Sequence, residues 1–349
     1  MFTNESIVLR DYFFNRSEVT ETKELKLLYN HLQLVKLLPM HITYRKYEYI
    51  KKEIKLPLHI PFSVVERNIF QKSSVRFIIN KLRVTVNIYD EKTKEDLMNQ
   101  LIHVIRFLVS LSKIKITKLV LNYYLFDDKK VLENNYPRSS LERNEINSGY
   151  CQGDDITTIT IYRKEELIKV TIHELIHALK YDHPKDSLDI INYYRKKYNI
   201  TSNIINTHEA YTEICANIIN CFLISQKVRR SQYNLFLLLI ALEREFCKFQ
   251  CEKIMYLSDL SKKEIDINEN TNVLSYFIIR CELYQKLTQF LKFCRIHNQD
   301  YIQLYKKDEW YKLLKKKSLI KPNNKRFNNI DEQGMIFNTM RMSLNELLI

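Results

Sequence analysis

Residues 173–177 read His-Glu-Leu-Ile-His, inside the run Val170-Thr171-Ile172-His173-Glu174-Leu175-Ile176-His177-Ala178-Leu179. Four residues is just over one helical turn, so on a helix His173 and His177 stack on one face. Two imidazoles at that spacing can bind one Zn²⁺ at about 2.0–2.1 Å each, leaving positions for a third ligand and a water. Glu174, at the edge of the same face, can take a proton from that water and later return one to a leaving amine. Zinc lowers the pKa of the water from about 15.7 to about 7, so hydroxide becomes available near neutral pH. The pattern points to metal-assisted hydrolysis of a protein or peptide substrate.

Two stretches offer a third ligand. His183 would complete H-E-x-x-H-x-x-K-x-x-H, but Lys180 stands where a sharp turn often needs positive φ and favours glycine, and Pro184 signals a helix exit. The other stretch, Thr207-His208-Glu209-Ala210-Tyr211-Thr212-Glu213-Ile214-Cys215-Ala216-Asn217, reads as a second helix with carboxylates four residues apart on one face. Glu209 is the expected ligand and His183 the alternative.

The His183 spacing matches the metzincins, which carry glycine at the place of Lys180. The second stretch is similar to the ligand helix of the thermolysin-like gluzincins, N-E-x-x-S-D, filled here by His208-Glu209-Ala210-Tyr211-Thr212-Glu213. That resemblance implies Glu209 as zinc ligand and Glu213 as the carboxylate that holds a ligand histidine by its other N–H. His208, Thr212 and Glu213 depart from the pattern, and the stretch from His177 to Glu209 is longer than in thermolysin. With Asn147-Ser148-Gly149 and Ile161-Tyr162-Arg163-Lys164-Glu165-Glu166, these motifs also resemble a family of uncharacterised zincin-like proteins of giant and other large DNA viruses, over residues 115–222. The resemblance implies a viral zinc metallopeptidase and no substrate.

The elements that must position these residues follow from periodicity. Ile156–Tyr162 is a β-branched run, hence a strand leading into the H-E-x-x-H helix, with Glu165 and Glu166 in the first helical turn. As a cleft-edge strand, 156–162 would pair with an extended substrate. The polar loop Asp127–Asp155 would cover the site or line a subsite. Upstream, Arg83–Tyr89 reads as a half-exposed strand, Glu95–Ser112 as a helix and Ile116–Leu125 as a second strand; His103 falls on that helix as a core or surface residue. Glu21–Leu38, Ser231–Tyr256, Thr271–Cys294 and Gln303–Lys317 read as further helices. The expected fold is α+β and zincin-like: a small twisted sheet, the active-site helix and a mainly helical C-terminal lobe. Its divisions are an N-terminal segment over 1–70, a catalytic core over 71–230, a helical lobe over 231–322 and a loose polar tail over 323–349.

The net charge is +14, which suits an acidic partner. Abundant lysine, asparagine, isoleucine and tyrosine beside only three glycines also fit an AT-rich genome, which weakens that inference. Lys312, Lys315, Lys316, Lys317, Lys321, Lys325 and Arg326 form the densest basic run, either a solvated face or a patch for nucleic acid or an anionic surface. Seven cysteines without a paired framework suggest reduced thiols and an intracellular protein, in the host cytoplasm or enclosed in a virion. Cys247 and Cys251 read as core thiols. No signal peptide is evident, and the longest apolar stretch, Leu235–Leu242, is too short to span a bilayer. Two rivals to the enzyme remain: a viral structural protein that keeps zinc for stability alone, and a basic nucleic-acid-binding protein.

Overall fold

The computed structural model describes residues 1–38, 42–51, 71–89, 95–132, 141–182, 185–200, 202, 205–260, 271–318, 320, 326–327, 330–331 and 334–348. These sort into two compact units. One comprises Gln33–Lys129 and Asn147–Tyr181; the other comprises Met1–Leu32, Lys130–Ile146 and Asp182–Leu348. The chain is mixed α+β.

The first unit is built on six strands: β1 (Ile42–Lys51), β2 (Gln71–Ile79), β3 (Leu82–Tyr89), β4 (Lys118–Tyr124), β5 (Gly149–Gln152) and β6 (Ile156–Ile161). Their order in the sheet is β1-β2-β3-β4-β6-β5. β3, β4 and β6 run parallel, while β1, β2 and β5 pair antiparallel with their neighbours. A helix from Glu95 to Leu111 supplies the crossover that a parallel β3–β4 pair requires. Its Leu97, Leu101, Val104, Ile105, Leu108 and Val109 are all buried, as their 3.6-residue period predicts, while His103 is exposed.

The register sorts the sheet into two faces. Val86, Leu121 and Ile159 stand side by side, as do Ile88, Tyr123 and Ile161, and all six are buried. The alternate row is polar: Ser74 donates to Asn87 at 2.8 Å, and Asn87 donates to Asn122 at 2.8 Å. At its end Tyr89, Tyr124, Phe126 and Tyr162 cluster, Tyr89 stacked on Tyr124 at 4.4 Å. β3 is accordingly more buried than the half-exposed strand expected, with Arg83 alone in it exposed.

Two expectations for this unit are corrected. β6 is not an edge strand, because β5 pairs along it with Gly149 opposite Ile161 and Gln152 opposite Thr158. The segment expected as a loop over 127–155 therefore contains the terminal strand of the sheet, together with a short helix at Arg143–Ile146.

The second unit is helical. The described helices are α1 (Asn4–Phe14), α2 (Lys23–Leu37, whose last turns belong to the first unit), then, with the 95–111 helix as α3 and the 143–146 turn as α4, α5 (Leu167–Ala178, in the first unit), α6 (Leu188–Tyr198), α7 (Thr207–Ser225), α8 (Gln232–Leu260), α9 (Arg280–Gln285), α10 (Leu287–His297), α11 (Lys307–Lys315) and α12 (Met335–Asn338). A π-helical stretch, Leu274–Ile279, runs directly into α9. α7 is the axis: of its 19 residues, Glu209 alone is not buried. A helix covered on every side must satisfy its polar groups internally.

The chain end does much of that. Lys253 donates to the carbonyls of Phe337 and Thr339 at 2.8 and 2.6 Å, and Gln250 to those of Thr339 and Arg341. Asn220 donates to the Asn345 carbonyl at 3.0 Å, and Glu243 accepts from Ser343 and Asn345. Met340, Met342 and Leu344 are buried between these contacts. Residues 334–347 are thus a strap through the helical unit, and the expectation of a loose tail is wrong over that span. All seven cysteines are free thiols, six of them buried, so Cys247 and Cys251 are core residues.

Candidate metal centre

The turn from β6 into α5 is tight. Glu166 caps the helix in the left-handed region at φ 58°, so Glu165 and Glu166 precede the first helical turn rather than forming it. Both are buried, as is Arg163, whose guanidinium burial pushes down while Tyr162 and Glu165 pull it back up. The Lys164 N–H donates to the Phe126 carbonyl at 2.8 Å, and its ammonium pairs with Asp127 at 3.1 Å. Further along, the Thr171 hydroxyl donates to the Leu167 carbonyl and lies 3.3 Å from the hydroxyl of the buried Tyr123. The rotation of α5 over the sheet is set by that contact and by Ile172, Leu175 and Ile176, all fully buried.

The helix presents His173 and His177 with their Nε2 atoms 3.1 Å apart and their rings at 73°. Two nitrogens each about 2.05 Å from one tetrahedral ion would stand about 3.3 Å apart. The observed separation fits that requirement. Glu209 joins them: one ligand atom from each of His173, His177 and Glu209 lies within 4.8 Å of the other two. Two imidazoles and a carboxylate are a donor set suited to zinc with a position left open. This group can bind a metal ion, and it is the third-ligand choice that the sequence favoured.

Glu174 is buried at 7% exposure. Its Oε1 lies 3.5 Å from where a Cβ on Gly149 would stand, at the start of β5. A side chain at 149 would also come within 2.8 Å of the Thr160 carbonyl oxygen. Glycine is needed here because backbone and carboxylate approach each other closely.

His183 lies outside the described residues. The argument against it from Lys180 does not hold, because Lys180 adopts φ 59° and makes the sharp turn itself. The Tyr181 N–H donates to the Ile176 carbonyl and the Lys180 N–H to the His177 carbonyl, both at 3.0 Å, a Schellman ending. The strain is offset locally. Lys180 Nζ reaches the Gly153 carbonyl at 3.3 Å and Asp154 at 3.7 Å, and the Tyr181 hydroxyl donates to the Leu108 carbonyl at 2.9 Å.

The start of α7 is clamped by residues the sequence reading missed. Asp186 accepts from both the N–H and the hydroxyl of Thr207 at 2.6 Å, placing a carboxylate on the positive end of the helix dipole. Trp310 donates to the same hydroxyl at 3.1 Å. Tyr276 donates to Glu209 Oε2 at 2.9 Å. Glu213, expected to hold a ligand histidine, accepts from Arg280 Nη1 at 3.0 Å, and Arg280 also donates to Asn217 and to the Met342 carbonyl. These contacts join residues up to 103 positions apart. No local spacing rule could have found them.

Three residues of the basic run are engaged within the chain. Lys312 pairs with Glu309, Lys315 with Asp189, and Arg326 with Glu245 and Glu252. Lys321 and Lys325 lie outside the described residues. Among the described residues no helix is long and apolar enough to cross a membrane.

No protein family, curated protein or solved structure shows a significant match to this chain. A functional reading therefore rests on the site.

Proposed function

We propose that the chain is a zinc-dependent metallopeptidase, with His173, His177 and Glu209 as the metal ligands and Glu174 as the general base. The observation that carries this reading is the 3.1 Å approach of the two Nε2 atoms with a Glu209 oxygen in the same group. A buried carboxylate one residue after the first ligand supports it.

A zinc ion in this group supplies a Lewis acid that lowers the pKa of a water and polarises a carbonyl oxygen. The protein does the rest. Glu174 accepts the proton of the attacking water and delivers it to the departing nitrogen, so that one carboxylate serves as base and then acid. β5, which ends the sheet beside Glu174, offers backbone N–H and C=O groups to an extended peptide. The reading is of an endopeptidase, since the sequence carries no evident terminus-binding motif.

The test is Glu174→Gln. Zinc content and far-ultraviolet circular dichroism should match wild type, while hydrolysis of a denatured protein substrate should fall by about 10²–10⁴-fold. A wild type that binds zinc yet cleaves no substrate in a broad peptide library would point to the rival, a zinc site kept for stability. For the nucleic-acid reading, the ion pairs of Lys312, Lys315 and Arg326 leave less free charge than the sequence suggested.

A further inference from the structure

Within the helical unit α10 and α11 lie side by side and run antiparallel. Lys286, just before α10, donates to the carbonyls of Leu313, Leu314 and Lys316 at the end of α11, at 3.1, 3.2 and 3.3 Å. At the opposite end His297 closes α10 beside Glu309 in the first turn of α11. Between the two helices is a cleft of about 330 Å³. One wall is the α10 face that carries Lys292, Phe293, Ile296 and His297; the other is the α11 face that carries Glu309, Lys312, Leu313 and Lys316. From 309 to 316 that second wall spans two turns, roughly 10 Å. The other flank of α11 is already covered, since Tyr311 accepts from the Ser187 N–H at 3.0 Å and Lys315 pairs with Asp189 at the start of α6.

The cleft combines an apolar floor with a cationic rim. Phe293 and Leu313 are buried, and Ile296 beside them is 50% exposed. Lys292 and Lys316 are exposed, and neither makes an ion pair with a described residue. Glu24, whose charge Lys292 feels, already accepts two hydrogen bonds from Arg295. Glu309 is offset by Lys312 at 2.7 Å. Carbonyls at the end of α11 would ordinarily be a negative pole, but the Lys286 ammonium takes three of them. The rim therefore favours an anion.

Of the anionic partners, few use both features. A small ligand is held where most of its surface is hidden, which an open cleft with a half-exposed isoleucine does not provide. Nucleic-acid phosphates would meet the lysines and leave the floor unused. An amphipathic helix with carboxylates flanking its apolar stripe meets both at once. We infer that the α10–α11 cleft is a docking groove for an acidic amphipathic helix of another protein. Its apolar stripe covers Phe293, Ile296 and Leu313, and its carboxylates face Lys292 and Lys316. The groove owes nothing to the metal centre, so zinc content does not bear on it.

The experiment titrates the full chain against a labelled helical peptide of about 16 residues by fluorescence anisotropy, in about 0.15 M salt. The peptide carries leucines at i, i+3, i+4 and i+7 with glutamates on both flanks; companions carry glutamine or lysine in place of the glutamates. Wild type should bind the glutamate peptide about 10-fold or more tighter than the glutamine one. Ile296→Asp should weaken binding about 10-fold or more. Lys292→Glu with Lys316→Glu should weaken it similarly and bind the lysine peptide instead. Arg229→Glu with Arg230→Glu makes the same change in net charge at exposed residues that do not line the cleft, and should leave affinity within about twofold. All variants sit at exposed positions and should keep the wild-type circular dichroism. No binding of the glutamate peptide, equal weakening by the arginine pair, or a lysine-pair variant that binds neither charged peptide would overturn the inference. So would duplex DNA that binds wild type through the same two lysines while the peptide does not.

Discussion

His173 and His177 point their Nε2 atoms at each other across 3.1 Å. Two neutral imidazoles gain at most one N–H···N hydrogen bond from that arrangement. The same geometry gives a tetrahedral ion two of its four ligands with a shift of only a few tenths of an ångström. The helix that presents them is held by buried contacts before and after the pair, to the sheet through Thr171 with Tyr123 and to α3 through Tyr181 with Leu108.

Gly149 lets β5 lie against the Glu174 carboxylate. Gly149→Ala would drive a methyl group to 2.8 Å from the Thr160 carbonyl oxygen. The expected cost is about 1–3 kcal/mol in urea denaturation, as for other overpacked sites. A midpoint equal to wild type would show that β5 is free to move away from β6.

Lys180 holds a conformation that glycine adopts without penalty. Lys180→Gly relieves about 1 kcal/mol of left-handed strain and forfeits an exposed ion pair worth at most about that much. Its unfolding free energy should therefore equal or slightly exceed that of wild type. Lys180→Val should lose more than 1 kcal/mol, since a β-branched residue tolerates positive φ badly. Equal stability of the two variants would contradict the assigned turn.

Lys253 and Glu243 titrate in opposite senses inside the helical unit. Burial lowers Lys253 from 10.5 to about 7, and raises Glu243 from 4.5 to about 7 against the hydrogen bond from Ser343. As pH falls from 10.5 towards 7, the unfolded chain takes up the lysine proton first, so stability is lost. As pH rises from 4.5 towards 7, the unfolded chain releases the glutamate proton first, so stability is lost again. The two groups together give a stability minimum near pH 7, with arms on the order of 3 kcal/mol. Urea midpoints at pH 5, 7 and 9 measure it. Lys253→Met should flatten the alkaline arm and Glu243→Gln the acid arm; arms untouched by these changes would contradict the assignment.

The terminal strap should be indispensable. Removing residues 335–349 exposes the seats of Phe337, Met340, Met342 and Leu344, each buried to 5% exposure or less. At about 1.5–3 kcal/mol per side chain the loss is comparable to the whole stability of a domain. Far-ultraviolet circular dichroism of the truncated chain should show the helical unit unfolded, and an unchanged melting curve would refute the role of the strap.

Much of this architecture was legible because it is periodic. The i, i+3, i+4 pattern of Leu97, Leu101, Val104 and Leu108 placed a helix between two β-branched runs, and the structure has β3, α3 and β4 there. The H-E-x-x-H spacing and the Glu209 helix were readable for the same reason. The strap carried a signal too: Met340, Met342 and Leu344 alternate with Arg341, Ser343 and Asn345. Alternation ordinarily means one wet face, yet here both are dry, because α7 and α8 hydrogen-bond the polar side and the backbone. Tyr276, Asp186 and Arg280 left no trace, since their roles come from contacts between distant helices. The position of β5 was hidden by its length, four residues inside a polar stretch.

The most direct measurement is the metal content of the purified protein, beside Glu209→Ala and His183→Ala. The account predicts about one zinc per chain, lost with Glu209→Ala and retained with His183→Ala. Zinc retained without Glu209 and lost without His183 would contradict the ligand set, and no zinc in the wild type after the ion is supplied would contradict the metal centre altogether.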